Sequence, residues 1–150
     1  AQISPGRLRI HQGLLRRIEV MGWLAHASCA LFVCKNARFI DTASPNKLFD
    51  AFAAGLPVVQ VSQGWIKDLF DREECGLTVP QDDPEALASA VLRILDDPHL
   101  ARTLGANSKR LARQRFDRDL LAGRLLEILT AAAGFSRARP AEFAIGRQAR

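Results

Sequence analysis

Residues 42–50 read TASPNKLFD: small residues and a proline, then the start of a short helical pattern. Ser44 is a good helix N-cap and Pro45 a good first helical residue, because proline's missing N–H costs nothing there. Asn46, Lys47 and Leu48 then present backbone N–H groups at the positive end of the helix dipole. Such an end can receive a phosphate or diphosphate without a dedicated side chain. Lys47 adds a mobile positive charge. Asp50 lies about one turn beyond Asn46 on the same face, where a carboxylate can accept hydrogen bonds from a ribose diol. A phosphate and a ribose along one short helix is what a nucleotide needs. The same residues also describe an ordinary capped helix, since Ser-Pro starts are common and an early acid suits the dipole.

Other chemistry finds little support. His11, His26 and His99 are scattered, with no ligating partner at helical or loop spacing, so no metal and no cofactor is expected. Cys29, Cys34 and Cys75 are odd in number and sit in or beside apolar segments without a CxxC; they read as buried, reduced thiols of a cytoplasmic protein. The net charge of +5 is an effect of the ends: residues 1–17 carry +4 and residues 134–150 carry +3, leaving −2 between them. A basic nucleic-acid face across the fold is therefore not indicated, although the ends could touch anionic lipid heads. KRLARQRF (109–116) suits a helix packed through Leu111 and Phe116 with its arginines outside, and no DNA-reading helix is expected. Trp65 reads first as a core or hinge aromatic and second as part of a wall beside a ligand at the carboxyl edge of the sheet. No apolar run approaches the roughly 20 residues of a membrane span, and AQISPGRLRIHQ has no apolar core of the signal-peptide kind. The chain does not open with methionine and has one Met, at 21, which suggests a piece of something longer.

The elements that must carry these residues alternate. LRIH (8–11) is a strand candidate, 17–27 an amphipathic helix, and ALFV (30–33) a strand covered on both faces. Residues 34–45 form a loop and 46–54 a helix stopped by Gly55. PVVQV (57–61) is a buried strand, 66–74 a helix ended at Gly76, and LTV (77–79) a short strand. From Pro84 the pattern is helical over 84–97, 98–116 and 117–134, and residues 134–150 read as a basic, disordered tail. The fold class is thus α/β, a partial Rossmann-like parallel sheet of about four strands with C-terminal helices. In such sheets ligands bind beyond the carboxyl ends of the strands, which is where loop 34–45 leads.

SPNKLFDAFAAGLPVV, then GW, CGLTVP, DDPEALASAVLRIL and NSKRLARQRFDRDLLAGRLLEIL, resembles the C-terminal part of a group 1 glycosyltransferase over roughly residues 8–133. The resemblance implies a retaining enzyme of GT-B fold, its donor a UDP- or GDP-sugar lodged between two domains, as in bacterial enzymes that build surface polysaccharides and lipid-linked sugars. Residues 1–133 would be the donor-binding domain, incomplete on its N-terminal side. Asp50 stands at the position of the family's ribose-binding Glu, one methylene shorter. The amides of Thr42, Ala43 and Ser44, with the helix start Pro45 to Leu48, would face the diphosphate and the donor sugar.

Two departures are plain. The family's second Glu, eight positions before the ribose-binding one, is Thr42 here, with Asp41 beside it. The family's upstream Arg and Lys have no counterpart, since PGRLRIHQG (5–13) runs directly into the next element. The domain that would hold a glycan or lipid-linked acceptor is also missing, so the catalytic residues are unknown and the chain alone is expected to be inactive. It would sit in the cytoplasm or at the inner membrane face. The rival readings are a non-catalytic Rossmann-like module that binds a partner, and a sugar-nucleotide epimerase.

Overall fold

The computed structural model describes residues 13–34 and 42–134. Its elements run α1 (Arg17–His26), β1 (Ala30–Phe32), α2 (Asn46–Ala54), β2 (Val58–Gln60), α3 (Trp65–Glu73), β3 (Gly76–Thr78), α4 (Pro84–Asp96), α5 (Pro98–Arg115) and α6 (Arg118–Ala132). The strands form a parallel sheet in the order β1-β2-β3, with Ala30, Val58 and Gly76 in register. The α/β class and the parallel sheet are as expected. The strand expected at 8–11, Asp41 and the tail beyond Gly134 lie outside the described residues. The chain divides into two units, Ala1–Ala112 and Arg113–Arg150.

The first unit holds the sheet. Alternation along β2 sends Val58 to one face and Val59 to the other. Val59 joins Val61, Val79, Ala90, Ile94 and Leu104 in a core that α4 and α5 close. On the opposite side Leu48, Ala51 and Phe52 of α2 and Ile66, Leu69 and Phe70 of α3 are buried. The Phe52 and Phe70 rings meet with centroids 5.9 Å apart. Each such aromatic removes enough apolar surface from water to be worth about 2–3 kcal/mol.

Three local expectations are corrected here. β1 is not covered on both faces: Leu31 and Val33 are each 54 % exposed. It is an edge strand, with Ala30 N donating to Pro57 O and Val61 N to Phe32 O. The main-chain groups of Leu31 point to the other edge, where no strand pairs among the described residues. α1 forms as predicted but buries no residue, Ile18 and Trp23 remaining exposed. Finally, Gly76 does not end α3. The helix stops at Glu73, and Glu74 adopts the left-handed conformation at φ 48°. Gly76 opens β3, where a Cβ would stand 2.0 Å from the Val58 carbonyl oxygen and 2.6 Å from the Phe70 ring.

α5 clasps that turn. Asn107 Nδ2 donates to Glu74 O at 3.0 Å, Ser108 Oγ to Cys75 O at 2.9 Å, and Arg110 lies 3.8 Å from Glu73. All three cysteines are free thiols as read, but only Cys75 is fully buried; Cys29 and Cys34 are half-buried. Burial pushes the Cys75 thiol up to about 12. In the second unit α6 buries no residue, and Leu125, Leu126, Ile128 and Leu129 are each more than half exposed. No helix among the described residues is long and apolar enough to cross a membrane.

Candidate functional site

A parallel strand must hand the chain to a helix at its carboxyl end. β1 does so through the loop ending at Pro45, and β2 through residues 61–64. The starts of α2 and α3 therefore stand side by side at one edge of the sheet. Trp65, the first residue of α3, ties them together: its Nε1 donates to the Ala43 carbonyl at 2.9 Å. A half-buried indole N–H finds a partner because leaving it unpaired is costly. Trp65 is half-buried, with its ring N–H bonded to the loop before α2.

The predicted residues occupy this edge with one shift of register. Ser44 does not cap α2. Pro45 is the N-cap, extended at φ −78° and ψ 123°, and no side chain caps the helix. The bond from Trp65 holds the Ala43 carbonyl two residues before this cap. The Leu48 N–H already donates to Pro45 O at 3.1 Å, and the Leu48 side chain is core. The amides of Asn46 and Lys47 are left heading the helix, without an intrahelical acceptor. Thr42, Ser44, Asn46 and Lys47 are exposed, whereas Ala43, Pro45 and Asp50 are half-buried.

Asp50 lies one turn behind this start. Its Oδ1 is 3.9 Å from Nη2 of Arg17, a residue the sequence did not single out because it stands 33 positions away on another helix. α3 begins as openly as α2. Its N-cap is Gly64 at φ 67°, ψ −145°, a conformation almost restricted to glycine, with no capping side chain. At the end of β2, buried Gln60 donates from Nε2 to Thr78 Oγ1 at 2.7 Å and fixes β2 to β3. Its Oε1 has no partner among the described residues.

A cleft of about 690 Å³ lies elsewhere, between α3 and β3, lined by Gln63, Lys67, Phe70, Asp71 and residues 76–81. None of residues 42–50 lines it. Its Lys67 is paired with Asp71, and its wall includes Gln63, just before the α3 N-cap. It offers less to an anion than the α2 edge does. No His, Cys, Asp and Glu among the described residues group as metal ligands.

Known proteins resemble this chain. Residues 4–97 match the family described as glycosyl transferases group 1. The lipopolysaccharide core biosynthesis glycosyltransferase LpsD of Rhizobium meliloti is 26% identical over 134 residues, 83% of this chain and 38% of that protein. An exopolysaccharide phosphotransferase of Streptomyces coelicolor is 34% identical over 90 residues, 59% of this chain and 9% of that one. The chain thus spans well under half of either curated relative. Sucrose-phosphate synthase from Thermosynechococcus elongatus superposes with a TM-score of 0.50 at 38% identity, covering 59% of this chain and 23% of that one. HepE of Anabaena, solved in complex with UDP, gives 0.57 at 20% identity over 73% and 29%; at that identity the likeness is one of fold.

Proposed function

Since the chain belongs to the group 1 glycosyltransferases, on the match over residues 4–97, we propose that it supplies the donor-holding part of such an enzyme, with the nucleotide diphosphate of a UDP- or GDP-sugar at the α2 edge. The observation that carries this reading is the uncapped start of α2 with Asp50 one turn behind it. The Asn46 and Lys47 amides and the Lys47 ammonium take the diphosphate, and Asp50 accepts from the ribose hydroxyls. Thr42 to Ser44 line the way to the donor sugar. Positive groups fixed where the diphosphate leaves stabilise the charge that develops there, which is electrostatic catalysis. Transfer with retention to a glycan or lipid-linked acceptor, in cell-surface polysaccharide assembly on the cytoplasmic side, completes the proposal. The names of LpsD and of the exopolysaccharide phosphotransferase support its glycan side. Acceptor binding falls to a domain not found in these 150 residues, so the chain by itself is inactive in transfer.

The test is an NMR titration of the 150-residue chain with UDP, GDP and ADP, beside Asp50→Ala. Shifts gathered at 42–50, selective for one base and lost in the variant, are expected. Loss of the carboxylate's hydrogen bonds should weaken binding roughly tenfold or more. Identical responses of the two proteins would sink the assignment of Asp50. The exposed leucines of α6 favour a second reading, a module that binds a partner without nucleotide; it predicts no nucleotide shifts at all.

A further inference from the structure

Arg17 opens α1, which packs on α2, and its guanidinium faces Asp50 at 3.9 Å with 86% of its side chain exposed against 37% for the aspartate. Its neighbour Arg16 is engaged locally, the Glu19 carboxylate accepting from Arg16 N at 2.8 Å and from its Nε at 3.3 Å. Lys47 precedes Asp50 by three positions on α2, a spacing that puts both residues on one side of the helix. Exposed pairs of this kind contribute at most about 1 kcal/mol to folding, so Arg17 is not needed to hold the unit together. Residues 18–108 carry 7 Lys and Arg against 12 Asp and Glu, so this stretch of the chain is acidic as a whole. A diphosphate arriving there needs local positive charge.

We infer that Arg17 is a part of the nucleotide site that changes partner when the site fills. This rests on the nucleotide reading of Asp50 given above. In the empty site the guanidinium shields the Asp50 carboxylate. A ribose diol that donates to Asp50 takes over that carboxylate and displaces Arg17. The freed guanidinium, on a long exposed side chain, turns to the diphosphate, whose oxygens match its fork of donors better than one carboxylate oxygen at 3.9 Å does. A nucleoside alone must displace Arg17 and gives it nothing in return. A nucleoside diphosphate displaces it and supplies the new partner.

The signature is a pair of opposite changes. Affinities of the 150-residue chain, Arg17→Ala and Arg17→Lys are measured for UDP, uridine, GDP and guanosine, with amide spectra confirming an unchanged fold. Arg17→Ala should bind the favoured nucleoside diphosphate roughly tenfold more weakly. It should bind the matching nucleoside as tightly or about twofold more tightly, because the exposed pair no longer competes. Arg17→Lys should restore part of the diphosphate affinity and little of the competition. Equal losses for nucleoside and diphosphate, or no change in either, would overturn the exchange while leaving the nucleotide site standing. Failure of the unaltered chain to bind UDP or GDP would remove the site itself, and Arg17's role with it.

Discussion

The five helices from α2 to α6 begin in two ways. α4, α5 and α6 are each closed by an aspartate. Asp83 accepts from Ala86 N at 2.8 Å, Asp97 from His99 and Leu100 N at 2.9 Å, and Asp117 from Asp119 and Leu120 N at 3.0 Å. The amides of Leu100 and His99 hold the Asp97 carboxyl below the usual carboxylate range. α2 and α3 begin on Pro45 and Gly64, neither of which supplies a side-chain cap. The closed starts belong to helices that cover the sheet or follow it. The open starts stand together at the carboxyl edge, tied by Trp65. An N-cap is worth about 1 kcal/mol, so the open edge forgoes stability that the rest of the chain secures. That trade makes sense where an external anion does the capping.

The contrast can be tested by closing the open start. Pro45→Asp should place a carboxylate on the α2 amides, with stability unchanged or raised by up to about 1 kcal/mol, while nucleotide diphosphate binding falls more than tenfold. Chemical denaturation and titration on one sample check both; retained binding would break the comparison. Loosening the edge is the next step. Trp65→Phe removes the donor to Ala43 and should cost about 1 kcal/mol, with binding weakened severalfold as the Ala43 carbonyl loses its partner. Opening a closed start gives the smallest functional effect. Asp83→Ala should cost about 1 kcal/mol of stability and leave nucleotide affinity where it was. If it weakened binding as much as Trp65→Phe does, the two classes of helix start would not be separate devices.

Much of this arrangement is legible in the residues alone. α2 has the span that NKLFDAFAA between Pro45 and Gly55 predicts, because both boundary signals are local. What escapes the sequence is set at a distance. The one-residue shift of the α2 cap comes beside a bond between Trp65 and Ala43, 22 positions apart. The Arg17–Asp50 approach depends on how α1 lies on α2. An apolar run such as ALFV looks the same at the edge of a sheet as at its centre, so the exposure of Leu31 could not be foreseen. Gly76 misled for another reason: glycine after a helix signals a C-terminal stop, but here the missing side chain serves the contact with Val58 and Phe70.

The depth of Cys75 has a practical consequence. Only a thiolate attacks an alkylating reagent, and this sulfur, wholly screened from solvent, holds its proton up to about 12. At neutral pH it should stay unlabelled for as long as the α3–β3 turn stays shut under α5. Cys29 and Cys34, half in solvent, should label first. The slow third modification then reports the opening of the sheet unit, since Cys75 can take a label only from an open state. Run with and without UDP, the same labelling would read how firmly a ligand at the far edge of β2 holds the whole unit closed.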